Sequence, residues 1–297
     1  MDRELTRAEW LERAHLHETR IDARTTAHLA RRRAAVAHPV HDFLFTYYSH
    51  RPAQLRRWHP GCGTRLLEAP EYDSVKGYRD GAVTRAYVQE HRTLLTTLRR
   101  LLVATEARPA SYGCFGLHEW AMVYGLDASS VRHASWPLRL GSDGTDAVVE
   151  SHRIACSHFD AFRFFTPQAR GLNTLQPGRD DRPAFEQPGC LHAGMDLYKH
   201  AFRLTPMISS DLVADAFELA WDIRALDMRA SPYDLSDLVP APGEDWTPVR
   251  IETPEGKRAY AEAQRTFSER GAPIRRQLIE ECDRLLSSSD DADGERG

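Results

Sequence analysis

Residues 5–36 contain neither glycine nor proline, and Trp10, Ala14, His17, Ile21 and Ala27/His28 recur along them at helical spacing. A stripe of that period does not suit a sheet, where side chains alternate every second residue, so the chain is committed to at least one long helix. The pattern returns further on. Pro39 suits the first position of a second helix through Phe43, Leu44, Tyr47 and Tyr48, which stops before Arg51-Pro52. A third helix is expected from about Thr84 to Glu106, with Val88, Leu95, Leu98 and Leu102 on its apolar side. Others follow at 157–165, 189–204, 208–229, 255–270 and 273–286. The fold class is mainly α: a single α-rich domain over residues 1–286, then a polar, disordered tail at 287–297.

Two stretches break the pattern. Residues 58–82 mix glycine, proline and polar residues and read as a loop-rich excursion. Residues 131–140 (VRHASWPLRL) and 147–156 (AVVESHRIAC) suit strands, and GSDGT between them suits a turn. A small β-hairpin near 131–156 is therefore expected as a minor β element.

Composition narrows the class. Apolar residues make up 41% and charged residues 28% of the 297, which excludes disordered and collagen-like chains. No apolar run approaches the ~20 residues of a membrane span, and the first residues, MDRELTRAEWLERAH, show no secretory h-region. Five cysteines without a CxxC pair argue for reduced thiols in a cytoplasm and against a zinc ribbon. The net charge of −4 is uneven: residues 1–110 carry 19 Lys+Arg against 13 Asp+Glu. A phosphate-bearing partner would favour that third, through Arg31, Arg32, Arg33, Arg51, Arg56 and Arg57; otherwise these arginines are simply solvated.

The sharpest local pattern is GCLHAGMDLYKHAFRL at 189–204. On a helix His192, Asp196 and His200 share one face, where a carboxylate between imidazoles can orient a base, activate water or join a metal. The alternative is an amphipathic helix in which Lys199 or Arg203 neutralises Asp196. Asp211, Asp215, Glu218 and Asp222 form a carboxylate stripe that needs water, arginines or a cation. In YGCFGLHEWAMVY, Glu119 is an acid among Phe115, Leu117, Trp120, Met122 and Val123, so it is either a tuned acid or base or a structural partner of an arginine. His152, His158 and Asp160 flank Cys156, and His158 and Asp160 share a side in an extended segment but not in a helix; Arg163 sits among Phe162, Phe164 and Phe165, company in which arginine often meets a carboxylate or phosphate. GxGxxG after a strand, GxxxxGK[ST], GxSxG, HExxH and the EF-hand loop are all missing from the sequence.

The strings HPVHDFLFTYYSHRPAQLRRWHPG, CFGLHEWAMVY, CSHFDAFRFFTP, EQPGCLHAGMDLYKHAF and LDMRASPYDL resemble a family of actinobacterial proteins commonly labelled 3-methyladenine DNA glycosylase, over roughly residues 8–285. The resemblance implies a DNA-repair hydrolase that excises a modified base. It supplies no catalytic residue, because the Gly-rich hairpin of helix-hairpin-helix glycosylases has no counterpart in the chain. The residues themselves offer Asp196 with His192 as the leading catalytic pair, Glu119, His158 and Asp160 as further catalytic candidates, and Tyr112, Phe115, Trp120 and Trp136 as walls for a flipped base. Arg56, Arg57, Arg139 and Arg163 are the candidate contacts for DNA or a nucleotide-like small molecule. No cofactor is needed on this reading. The alternative is an enzyme that binds a divalent transition metal (zinc, iron or manganese) through His192, Asp196, His200 and His158 and acts on a small anionic substrate. A helical binding protein without chemistry is the third reading.

Overall fold

The computed structural model describes residues 3–48, 50–126, 136–241 and 243–294. They are mainly α-helical with one small sheet, as the sequence leads one to expect, but the sheet is not where it was expected. The chain divides into two compact units: Met1–Val103, Asp196–Trp221 and Pro273–Gly297 form the first, and Ala104–Met195 with Asp222–Ala272 form the second.

The first unit opens with β1 (Arg3–Leu5) and α1 (Arg7–Arg33). Thr6 and Glu9 start α1 reciprocally: the Thr6 hydroxyl accepts from the Glu9 backbone N–H, and the Glu9 carboxylate accepts from that of Thr6 at 2.8 Å. The second expected helix is the short α2 (Asp42–Thr46), and a further short helix that was not expected, α3 (Pro52–Arg56), begins at the proline where the expected one stops. Residues 58–82 are more than a loop. They hold β2 (Thr64–Leu66) and β3 (Tyr78–Arg79), and with β4 (Ala82–Val83) and β1 they form a sheet of order β1-β2-β4-β3. Pairing of β1 with β2 is parallel and the rest is antiparallel. Leu5, Trp10, Trp58, Leu66 and Tyr72 supply it with a core of its own. Gly81 permits the turn, since a Cβ there would lie 2.1 Å from Leu66 O. The third expected helix is interrupted at His91, giving α4 (Arg85–Glu90) and α5 (Arg92–Glu106), and Val88, Leu95, Leu98 and Leu102 are buried.

The second unit holds the short helices α6 (Leu117–Ala121), α7 (Gly141–Glu150), α8 (Phe159–Phe162), α9 (Pro167–Arg170) and α10 (Arg182–Phe185). The hairpin expected near 131–156 is corrected here. Residues 127–135 lie outside the described residues, and GSDGTDAVVE is α7. Thr145 donates back to Gly141 O, and Thr145, Val148 and Val149 bury one face, so packing overrides strand propensity. Leu138 and Ile154 each make only an isolated bridge, to Tyr233 and Asn173.

Three long helices complete the chain: α11 (Leu191–Arg203), α12 (Ser210–Arg229) and α13 (Pro254–Gly294). The division between units falls inside α5, α11, α12 and α13. The two helices expected at 255–270 and 273–286 are one, because Pro273 costs a backbone bond without ending a helix whose Leu278, Cys282 and Leu285 are fully buried. Helical backbone continues through residues 287–294. No helix among the described residues is long and apolar enough to cross a membrane.

Candidate functional site

The second unit gathers a buried polar cluster from three helices. Phe115 and Gly116, both left-handed (φ 45° and 68°), turn the chain into α6, which carries His118 and Glu119. Positive φ is costly for phenylalanine, so the surrounding packing must hold this turn. His192 stands at the start of α11, and Arg224 and Asp227 lie near the end of α12. His118 Nε2 lies 3.1 Å from Asp227 Oδ1. Arg224 Nη1 donates to Glu119 Oε1 at 2.8 Å and to Asp227 Oδ2 at 2.7 Å. The His118 and His192 rings meet edge to face with centroids 4.3 Å apart. The nearest ligand atoms of His118, His192 and Asp227 all lie within 4.8 Å of one another.

Electrostatics hold these groups in definite states. Burial works to raise the pKa of Asp227, but His118, Arg224 and His192 override it, and the carboxyl sits well below the ordinary carboxylate range. Burial likewise opposes charge on His118, and the neighbouring Asp227 carboxylate outweighs it, so this imidazole is pushed up. The adjacent residues His118 and Glu119 point apart on α6, yet both end on one network because Arg224 bridges Glu119 and Asp227.

His118 and His192 line a cavity of about 300 Å³. Cys114, Cys156 and Cys190 also line it. Burial pushes all three thiols up, Cys156 to about 12, so they are protonated at neutral pH.

The residues singled out from sequence fall in different places. His192 and Glu119 belong to the cluster. His158 is fully buried, its ring 5.4 Å from that of His192 and its Nε2 3.5 Å from Glu186 Oε1. Asp196 and His200 belong to the first unit, where Asp196 accepts from Tyr48 Oη at 3.1 Å and from Lys199 Nζ at 3.3 Å. Among the described residues the group placed to hold an ion is His118, His192 and Asp227, and Asp196, His200 and His158 are not part of it. Asp160 pairs with Arg163, whose guanidinium lies over Phe164. Arg139 pairs with Glu252, and Arg56 with Glu18 and Asp22; Arg57 is exposed. Trp120 is fully buried and donates to Ala230 O, Tyr112 lies under Arg265, Phe115 meets Tyr260 edge to face, and Trp136 is half-buried; the four aromatic candidates do not line the cavity. The acidic stripe meets arginines: Arg20 takes Asp215 and Glu218, and Arg270 takes Asp222.

Sequence reasoning missed Asp227 and Arg224. The signal was present, since both interrupt the apolar run Ile223, Leu226 and Met228, where an acid and a base three residues apart must neutralise each other if buried. No protein-family model, curated protein or solved structure matches this chain.

Proposed function

We propose that the chain is a metal-dependent enzyme in which His118, His192 and Asp227 hold a divalent first-row transition metal beside the cavity, and that it acts on a small molecule taken into that cavity. One observation carries the reading. His118 Nε2 and Asp227 Oδ1 are fully enclosed and 3.1 Å apart, with the His192 ring beside them. Bonds of about 2.0–2.2 Å to a common ion put neighbouring donor atoms about 3 Å apart, so the spacing suits two ligands of one metal. Arg224 engages Asp227 through Oδ2 and leaves Oδ1 for the ion, the kind of outer contact that orients a ligating carboxylate.

Two imidazoles and one carboxylate leave coordination positions open, which suits zinc hydrolysis or non-haem iron chemistry. Such an ion would polarise a substrate oxygen or acidify a bound water. Excision of a modified base such as 3-methyladenine keeps one support: Asp227 stays ionised in a buried site, as a carboxylate facing an oxocarbenium-like sugar must. Against a DNA duplex, Arg56, Arg139 and Arg163 are already engaged with carboxylates of the chain. A binding protein without chemistry has no use for so many desolvated, converging polar groups. The five free thiols suit a reducing cytoplasm.

The test is elemental analysis of protein purified without an affinity tag. Near-stoichiometric zinc, iron or manganese is expected, and it should be lost in His118→Ala and Asp227→Asn. Protein that is metal-free and takes up none of the three on titration overturns the reading.

A further inference from the structure

We infer that the cavity's occupant is a small molecule with an apolar or aromatic body and one oxyanion head, and that Arg108 holds that head. This rests on the reading of the cavity as the substrate site, and it names the substrate class. Its first support is the sign of the walls. The lining includes Arg108, His118 and His192 but, among the described residues, no aspartate or glutamate.

The second support is how Arg108 is held. Its Nε and Nη2 donate to Pro183 O at 3.3 and 3.1 Å. That carbonyl is neutral, so it fixes the plane of the guanidinium without cancelling its charge, and it makes no demand on Nη1. Arg56, Arg139 and Arg163, by contrast, are matched to carboxylates. A planar fork held in a fixed plane is what two-oxygen recognition of a carboxylate or phosphate needs.

The third support is rigidity beside Arg108. Gln187 Oε1 accepts from Ser111 N at 2.8 Å and Gly189 N at 2.7 Å, while its Nε2 donates to Ser111 O at 3.2 Å. Gly189 is close-packed here, since a Cβ would lie 2.6 Å from Ser111 O. This clamp ties two lining segments together, so this part of the wall is pre-formed and little ordering cost is left for a ligand. Ile154, Leu175, Phe185 and Leu191 line the same cavity and supply the apolar surface for the ligand's body. A volume of about 300 Å³ is at the small end for ligand pockets, which fits one ring and one head group.

The experiment is calorimetric titration of the full chain with benzoate, phenyl phosphate and uncharged benzamide, with metal content measured on the same samples. Saturable binding of benzoate or phenyl phosphate, with benzamide much weaker, is expected. The tighter of the two anions identifies the head as carboxylate or phosphate. Arg108→Gln should weaken that anion by about tenfold or more, Arg108→Lys by less, and neither should change metal content or melting temperature. Equal binding of benzamide, no binding of either anion, or unchanged affinity in Arg108→Gln overturns the inference. Loss of the metal reading shows separately, as metal-free protein whose anion affinity still depends on Arg108.

Discussion

Replacing Arg224 by methionine removes the cation that joins Glu119 and Asp227, with little change of volume. The Arg224 side chain is 2% exposed, that of Glu119 7% and that of Asp227 0%, so water cannot replace the lost guanidinium. Breaking one partner out of a buried ion pair costs about 3–5 kcal/mol. Asp227 keeps His118 at 3.1 Å, so most of the penalty falls on Glu119. At about 2 °C per kcal/mol for a chain of this size, the melting temperature should fall by about 6–10 °C. The sign of the pH dependence follows from the same picture. An orphaned buried carboxylate has its folded pKa raised above its unfolded value, so the fold takes up a proton as pH falls and the deficit shrinks. The deficit against wild type should thus be smaller at pH 5 than at pH 8. Adding Glu119→Gln to Arg224→Met should recover most of it. Differential scanning fluorimetry in the presence of a chelator, so that bound metal contributes nothing, reads wild type and both variants. A deficit under about 1 kcal/mol, or one indifferent to pH and to Glu119→Gln, would refute the reasoning.

Asp196→Asn removes a carboxylate held by Tyr48 and Lys199, and should cost about 1–2 kcal/mol while leaving metal content unchanged; a metal-free Asp196→Asn protein in elemental analysis would count against the assignment to Asp227. His38 and His50 are kept neutral by burial, each with its pKa pushed down to about 4. The stabilisation they give is therefore complete above the unfolded value near 6.5 and lost as pH falls from there towards 4, so the denaturant midpoint should drop across that window. A flat profile would show that these rings are solvated.

Much of the helical skeleton was legible because it rests on local periodicity: α1, α11 and α12 fall within a few residues of where their apolar stripes put them. What misled was anything decided by distant partners. GSDGTDAVVE carries hairpin residues, yet Val148 and Val149 find a core that favours a helix. The sheet around Leu66 depends on Leu5 and Trp58 closing over it, and no window of residues 58–82 contains both. The site divides the same way. Glu119 stood out as an acid in apolar surroundings, whereas His192 and Asp196 drew attention through their spacing, which fixes a helix face and nothing beyond it. Asp227 needed the knowledge that α6 and the end of α12 meet.

The three thiols around the cavity have a kinetic consequence. Burial holds the Cys156 thiol well above its ordinary pKa, so very little of it is thiolate at neutral pH, and alkylating reagents attack the thiolate. Whatever labelling is seen must then come mainly from molecules in which the second unit has opened and the thiol has regained its ordinary acidity. The alkylation rate of Cys156 becomes a clock for that opening, read by mass spectrometry on the native protein. A ligand that closes the cavity should slow the clock in proportion to its occupancy.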